Sequence, residues 1–151
     1  MDFPARPSEP ISTPLGLTEA LGIVPAEVVA NEFNYMALLG SAPVLRELAP
    51  DMAALACMDR PGVIVTAVGD GDGSYDFISR YFAPAKGVPE DPVTGAAHCM
   101  LAPYWARRLG KTEFRAFQAL RRGGEIICRL AGDRVELEGT CVFYLEGEVE
   151  I

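Results

Sequence analysis

The chain has 151 residues, half of them apolar, which is typical of one globular domain and excludes a largely disordered chain. Its formal net charge of -8 at pH 7 opposes a broad contact with nucleic acid. No apolar run approaches the ~20 residues that span a membrane, and Met1–Pro4 lacks the features of a secretory signal. We therefore expect a soluble, cytoplasmic protein with neither nucleic acid nor membrane as a partner.

The chain starts with a segment that differs from the rest. Residues 1–16 are rich in proline, which excludes a helix and predicts an extended, linker-like segment ahead of a single domain at 17–151. A short helix is predicted at Thr18–Leu21, closed by Gly22. The β-prone run Glu27–Leu39 then predicts a strand or a hairpin.

The next part of the chain alternates between helical and extended patterns. Ala42–Met58 has helical periodicity, with a kink or junction at Pro50. Val63–Val68 predicts a buried strand and Tyr75–Phe82 a second one. The loop Gly69–Gly73 between them lacks the ligand spacing of an EF-hand, so we interpret it as a hairpin loop.

The last part of the chain is predicted to be a β-meander, because short β-prone runs alternate with glycine-containing turns. The predicted strands are Glu113–Ala119, Gly124–Leu130, Arg134–Leu137 and Thr140–Leu145.

The four cysteines form no Cys-x-x-Cys pair, and the chain has a single histidine. Zinc binding and thioredoxin-type chemistry are therefore poorly supported, and we predict no metal site. Apolar neighbours favour buried, reduced thiols. The cysteines concerned are Cys57, Cys99, Cys128 and Cys141.

A long helix is predicted between the two β-rich parts of the chain. Asp91 suits an N-cap and Pro92 the first helical position, while Gly110 closes the helix. The small residues Gly95 and Ala96 follow in the first turn, where they would let a carboxylate approach the free N–H groups and the positive end of the helix dipole. Ordinary capping and close helix–sheet contact are the alternative explanation of the same pattern.

Two further features of this region leave alternatives open. His98 is either a packed, hydrogen-bonded histidine or a base, and its neighbour Cys99 points too far away around the helix to share a proton with it. A basic cluster serves either a small anion or simply a solvated face. Its members are Arg107, Arg108, Lys111, Arg115, Arg121 and Arg122.

The run Gly87–His98 reads Gly-Val-Pro-Glu-Asp-Pro-Val-Thr-Gly-Ala-Ala-His and resembles the signature of the phenazine-biosynthesis-like (PhzF-like) isomerase family. Supporting matches lie at Asp2–Ala5, Arg80–Pro84 and Gln118–Gly124. The resemblance implies an α+β fold like that of diaminopimelate epimerase, built of two similar halves, each a sheet rolled around a central helix. Because the Asp-Phe-Pro segment lies mid-chain in the family, this chain resembles the C-terminal half only.

The resemblance also implies roles for single residues. The family isomerises small acids by proton transfer without a cofactor, and Asp91 matches the aspartate that borders the substrate and handles protons. Thr94, Gly95 and Ala96 match the helix start that receives the substrate carboxylate, and His98 is assigned to the same substrate-binding group. Two positions depart from the family pattern. Ala96 stands where serine is common, and Leu120 stands where a small polar residue is expected.

The half of the fold without a match here is where the family keeps its acid/base glutamate. We therefore expect that catalysis needs a separate N-terminal half or a homodimer partner that completes the cleft. The alternative is a catalytically inactive module that binds a small acid or another protein. Neither interpretation calls for a cofactor.

Overall fold

A computed structural model describes residues 1–120, 122–142 and 144–148 of the chain, which adopts an α+β fold. Its strands are β1 (Asp2–Pro4), β2 (Glu9–Pro10), β3 (Glu27–Ala30), β4 (Asn34–Leu38), β5 (Gly62–Val68), β6 (Phe77–Ala83), β7 (Val88–Asp91), β8 (Glu113–Gln118), β9 (Gly124–Ala131) and β10 (Arg134–Glu138). Its α-helices are α1 (Leu17–Leu21), α2 (Ala42–Glu47), α3 (Met52–Ala56) and α4 (Gly95–Leu109).

Over the described residues, the strands form one sheet in the order β1-β10-β9-β8-β6-β5-β4-β3-β2, with β7 paired to β6 outside this path. The pairs β4–β5 and β6–β8 are parallel, and the others are antiparallel. Both outer strands, β1 and β2, come from the proline-rich segment 1–16. That segment is extended, as expected, but it is paired into the sheet.

The side chains of β3, β4, β5 and β6 alternate between two hydrophobic clusters, as expected where a sheet is covered on both faces, whereas β9 and β10 contribute only to the cluster around α4. On β6, Phe77 and Tyr81 belong to the cluster around α4, whereas Ile78 and Phe82 belong to the cluster with α1, α2 and α3. Complete burial of a large apolar side chain contributes roughly 1.5–3 kcal/mol. The two clusters therefore hold the three short helices on one face of the sheet and α4 on the other.

Helix α4 is the centre of the fold, because the sheet rolls around it. Met100, Leu101 and Trp105 on this helix are completely buried. The Trp105 ring stacks on Phe77 with 5.5 Å between ring centroids, and its Nε1–H donates to Thr66 Oγ1 at 3.1 Å. The arrangement confirms the expected architecture of a sheet rolled around a central helix.

A proline inside α4 links the helix to the segment between β1 and β2. Pro103 has no N–H, so the carbonyl of Cys99, four residues earlier, lacks its usual helical donor. The backbone N–H of Arg6 donates to that carbonyl instead, at 2.8 Å. Arg107 Nη2 donates to the Ser8 carbonyl at 3.0 Å. Residues 5–8 therefore run along α4 and cross from one edge of the sheet to the other.

Most predicted elements are confirmed, including the helix closed by Gly22, the β3–β4 hairpin and the break between α2 and α3 near Pro50. The predicted strand Thr140–Leu145 is wrong, because its described residues, 140–142 and 144–145, adopt no regular structure. Phe143 lies outside the described residues. The β-prone composition of residues 140–145 favours a strand, but a strand also needs the edge of a neighbouring strand for its backbone hydrogen bonds.

The buried-thiol prediction is correct for two cysteines and wrong for two. Cys99 and Cys128 are buried, and burial raises the pKa of the Cys99 thiol and raises that of Cys128 to about 12. Cys57 and Cys141 are exposed, because Cys57 follows the last residue of α3 and Cys141 lies beyond β10. No helix in the described part of the chain is both long and apolar enough to cross a bilayer.

Candidate functional site at the start of the central helix

Helix α4 begins at Gly95 with Thr94 as its N-cap, so the predicted start at Asp91 is wrong. Asp91 is instead the last residue of β7, where it pairs with Tyr81 of β6. The Asp-Pro pattern suits a helix start locally, but pairing with β6 keeps this backbone extended. The site therefore begins with a strand end and a short link, and the helix follows it.

Gln118 fixes the link between β7 and α4. Its amide Oε1 accepts from the Thr94 N–H at 2.8 Å, and its Nε2 donates to the Asp91 carbonyl at 2.6 Å and to Thr94 Oγ1 at 3.0 Å. The Gln118 side chain is completely buried at the end of β8. The Thr94 hydroxyl in turn donates to Asp91 Oδ2. Gln118 thus joins Asp91 and Thr94, which lie more than 20 residues earlier in the chain, in one hydrogen-bonded group.

This arrangement keeps the start of α4 uncapped. Thr94 makes no side-chain cap hydrogen bond, because its hydroxyl is engaged by Gln118 and Asp91. Gly95 is partly exposed and Ala96 is exposed. The first N–H groups of a 15-residue helix, together with its dipole, therefore present a partial positive charge beside Asp91.

Tyr81 of β6 is the strand partner of Asp91. Burial, and next the nearby Asp91 carboxylate, raise the pKa of Tyr81 above its ordinary value. The Tyr81 hydroxyl is therefore a proton donor at neutral pH and donates to Asn34 Oδ1 at 3.3 Å. Asp91 itself is partly exposed. One side of its carboxylate thus contacts the protein and another side remains open.

The carboxylate of Glu90, the neighbour of Asp91 on β7, is not open to a ligand. This carboxylate forms a largely buried ion pair with Arg80 of β6. Arg80 also donates to the carbonyls of Leu45 and Leu48 at the end of α2. Glu90 therefore anchors β7 to the body of the domain, and Asp91 is the member of the Glu-Asp pair left open to a ligand.

His98 lies inside the core, one turn beyond the helix start. It is completely buried, and its Nδ1 lies 2.7 Å from the Thr94 carbonyl, so Nδ1 carries the proton. Burial lowers the pKa of His98 to about 4, which leaves the ring neutral at pH 7. His98 Nε2 has no hydrogen-bond partner among the described residues. Its position suits support of the Thr94 backbone, and a direct role in substrate binding stays a prediction.

A cavity of about 210 Å³ opens beside the helix start. It is lined in part by Val93, Gly95, Glu125 and Glu138, and its lining does not include Asp91, Thr94 or Ala96. The two glutamates are partly neutralised, since Arg115 lies 3.7 Å from Glu125 and Arg129 lies 3.7 Å from Glu138. The cavity thus brings together only part of the predicted site.

In the basic cluster, which starts in the last turn of α4, several members have acidic partners. Arg108 pairs with Glu27 at 2.6 Å and Lys111 pairs with Asp76 at 2.6 Å. Arg121 lies outside the described residues. The described part of the cluster therefore fits a solvated, ion-paired face. Among all the residues that the structure describes, no group of three or more His, Cys, Asp or Glu residues is arranged to hold a metal ion.

The role of Gln118 at the helix start is not predicted by the local sequence pattern. Gln118 is a polar residue at the end of an otherwise alternating strand, where the pattern predicts burial. A glutamine at a buried position requires hydrogen-bond partners, and this requirement was the available signal. Which partners it has, however, depends on the pairing of β8 with β6, which joins distant parts of the chain.

A central helix inside a rolled sheet is the arrangement of a diaminopimelate epimerase-like fold. A family model described as PhzC-PhzF, phenazine biosynthesis-like protein, matches residues 6–147. The chain therefore belongs to the phenazine biosynthesis-like family.

Relatives and solved structures agree with this assignment. An uncharacterized isomerase of Pseudomonas aeruginosa is 46% identical over 151 residues, which is 100% of this chain and 57% of that protein. Another from Halalkalibacterium halodurans is 45% identical over 150 residues, or 99% of this chain and 56% of the relative. The crystal structure of a PhzF-family protein of Enterococcus faecalis superposes with a TM-score of 0.87 and 38% identity, over 93% of this chain and 53% of that chain.

The chain thus spans little more than half the length of these relatives. The expectation that it corresponds to their C-terminal half stays a prediction.

Proposed function

We propose that this chain provides one wall of a cofactor-independent isomerase site that moves a proton within a small carboxylate-bearing metabolite. The observation that carries the proposal is the position of Asp91, a partly exposed carboxylate hydrogen-bonded by Thr94 beside the uncapped start of α4. The helix start would bind the substrate carboxylate while Asp91 exchanges protons with carbon. The names of the curated relatives, uncharacterized isomerases, support the reaction class.

The proposed reaction moves a single proton, and the net charge of enzyme and substrate is the same before and after it. A C–H bond next to the substrate's conjugated system breaks, and the proton forms an O–H bond on Asp91. The electron pair moves into the conjugated system, and the proton then returns to a different carbon. General acid/base catalysis of this kind requires a site from which water is largely excluded. The open position of Asp91 means that a second wall must cover it.

A partner is the proposed source of that wall, either a second copy of this chain or a separate N-terminal half. Support comes from the segment after β10, where Val142, Tyr144 and Leu145 are 90%, 96% and 82% exposed. Grouped exposed apolar side chains of this kind mark interaction surfaces. The segment starts beside the cavity at the helix start, which Gly139 and Thr140 help to line.

The proposal is tested by hydrogen exchange at carbon. A panel of small unsaturated carboxylic acids is incubated in D₂O with this chain, alone and with the N-terminal half of the Pseudomonas aeruginosa relative, and proton NMR follows the loss of C–H signals. We expect exchange that falls by at least about 100-fold in Asp91→Asn, because a general acid/base is lost. Asp133→Asn, an exposed carboxylate on the β9–β10 turn, is the matched control and should keep full activity.

Exchange that survives in Asp91→Asn would contradict the proposed role. The second candidate function is an inactive module that binds small acids. The Arg80–Glu90 ion pair favours this second candidate, because it engages the Glu90 carboxylate next to Asp91 and leaves only one open carboxylate. Binding without exchange, both alone and with the added half, would support that candidate.

A further inference from the structure

Gln118 controls the direction of the hydrogen bonds at the helix start. Its Oε1 faces an N–H donor, the Thr94 amide, so the opposite side of the amide group must be the NH₂. That NH₂ donates to two acceptors, the Asp91 carbonyl and the Thr94 hydroxyl oxygen. A flipped amide would place two acceptors against each other and two donors against each other. The orientation of Gln118 is therefore unique.

This orientation also fixes the single proton of the Thr94 hydroxyl. Because Oγ1 accepts from Gln118, its proton is free to point to Asp91 Oδ2, the other oxygen in contact. Oδ2 accepts this hydrogen bond, whereas Oδ1 has no hydrogen-bond donor among the described residues and is the oxygen open to a substrate. The direction of the chain, from amide to hydroxyl to carboxylate, thus distinguishes the two oxygens of Asp91.

The same contacts remove Thr94 from its ordinary role. A threonine at the N-cap usually accepts from the N–H of the second or third helical residue, here Ala96 or Ala97. Thr94 makes no such bond. Its hydroxyl is instead engaged by Gln118 and Asp91, so it does not occupy the N–H groups of the first turn.

We propose that Gln118 is a positioning residue: it holds the Thr94 hydroxyl on Asp91 and away from the start of α4, which presents both Asp91 Oδ1 and the free N–H groups to the substrate. This inference rests on the proposed function for its biological purpose. The arrangement it describes is a property of the unliganded chain. An experiment can therefore contradict the positioning role of Gln118 without contradicting the proposed function, and the reverse.

The test uses the whole chain and two readouts. Three-bond coupling constants report the rotamer of Thr94 without any ligand, and amide chemical shifts of Gly95 and Ala96 report binding of acetate, the probe. In Gln118→Met we expect Thr94 to rotate and cap the helix. Acetate affinity should then fall about tenfold, the effect of roughly one competing hydrogen bond.

The decisive variant is the double replacement Thr94→Val with Gln118→Met. It has no hydroxyl to cap the helix, so acetate affinity should return to within about threefold of the unmodified chain. A merely structural role for Gln118 predicts no such recovery. An unchanged Thr94 rotamer in Gln118→Met, or a double variant that binds no better than the single one, would overturn the inference.

A third variant covers the case in which Gln118→Met does not fold. Gln118→Glu keeps the shape and the acceptor for the Thr94 N–H, but it offers the Thr94 hydroxyl a second acceptor. The Thr94 proton should then leave Asp91, and an unchanged hydroxyl proton signal would overturn the inference. If acetate fails to shift any amide of the unmodified chain, the proposed function fails, and the rotamer and hydroxyl measurements still decide the role of Gln118.

Discussion

Arg80 holds Glu90 in a two-point ion pair, with its Nε 2.6 Å and its Nη2 2.9 Å from the two carboxylate oxygens. The two side chains are only 10% and 13% exposed. A planar guanidinium matched to a carboxylate in this way is both strong and directional. The pair therefore sets the position of β7, and with it the position of Asp91.

Replacing Arg80 by methionine should destabilise the fold by about 3–5 kcal/mol, because Glu90 would keep a buried charge without a partner. Urea unfolding followed by circular dichroism measures the change. The double variant Arg80→Met with Glu90→Met removes both charges and should be more stable than the single variant. A double variant that is less stable than Arg80→Met would show that the contacts of Arg80 with α2 matter more than its charge pair.

His98 should make stability depend on pH. The pKa of His98 in the folded chain is about 4, below the ordinary value of 6.5. Between pH 4 and pH 6.5 the unfolded chain therefore binds a proton at this residue and the folded chain does not. The resulting contribution of neutral His98 to the free energy of unfolding is complete above pH 6.5 and is lost progressively as the pH falls to about 4. It amounts to about 3 kcal/mol. Urea unfolding over this range, compared with His98→Gln, isolates the effect. Parallel pH profiles of the two proteins would contradict the prediction.

Thr66 should report on the core around the single tryptophan. Thr66 Oγ1 accepts from Trp105 Nε1 and donates to the Ile78 carbonyl at 2.8 Å, all within the buried core. Thr66→Val keeps the shape but leaves the indole N–H without its partner, which should cost about 1–3 kcal/mol. Tryptophan emission should shift to shorter wavelength in the folded state. Thr66→Ser keeps the hydroxyl and should retain the emission maximum, and an identical shift in both variants would contradict the assignment.

The exposed segment after β10 should mediate self-association if the proposed partner is a second copy. Light scattering at micromolar concentration should then give a mass near twice 16.2 kDa. Val142→Ser combined with Leu145→Ser should shift the mass towards the monomer. Leu15→Ser is the control, because Leu15 is 98% exposed but distant in sequence from this segment. A dimer unaffected by the double replacement would exclude this surface, whereas a monomeric parent chain would leave a separate N-terminal half as the proposed partner.

The elements that local sequence predicts well are those with local causes. Gly22 and Gly110 end their helices in the left-handed conformation, with φ of 69° and 67°. The start of α4 fails as a prediction because its cause is not local. Asp91 and Pro92 fit a helix start by themselves, but β6 and Gln118 hold this backbone from outside. The sequence therefore predicts the helix correctly but not the residue at which it begins.

The segment Thr140–Leu145 illustrates the opposite error. Its composition favours a strand, yet a strand depends on an available edge, and composition carries no information about that edge. The burial of His98, which is one of the two interpretations open from the sequence, also depends on tertiary structure. Its helical position gives its direction around the helix axis, while its exposure depends on how far the sheet rolls around α4.

The crossing of residues 5–8 from β1 to β2 also limits how the domain can open. The five Cα steps from Pro4 to Glu9 reach at most roughly 18 Å, so the two edges of the sheet cannot separate further while both strands remain paired. Arg6 is bonded to the carbonyl that Pro103 leaves free, which holds this tether against the helix. Separation of the two sheet edges, which would expose the buried middle of α4 to water, therefore requires detachment of a few N-terminal residues, and amide hydrogen exchange in the middle of the helix would follow the opening of that short tether.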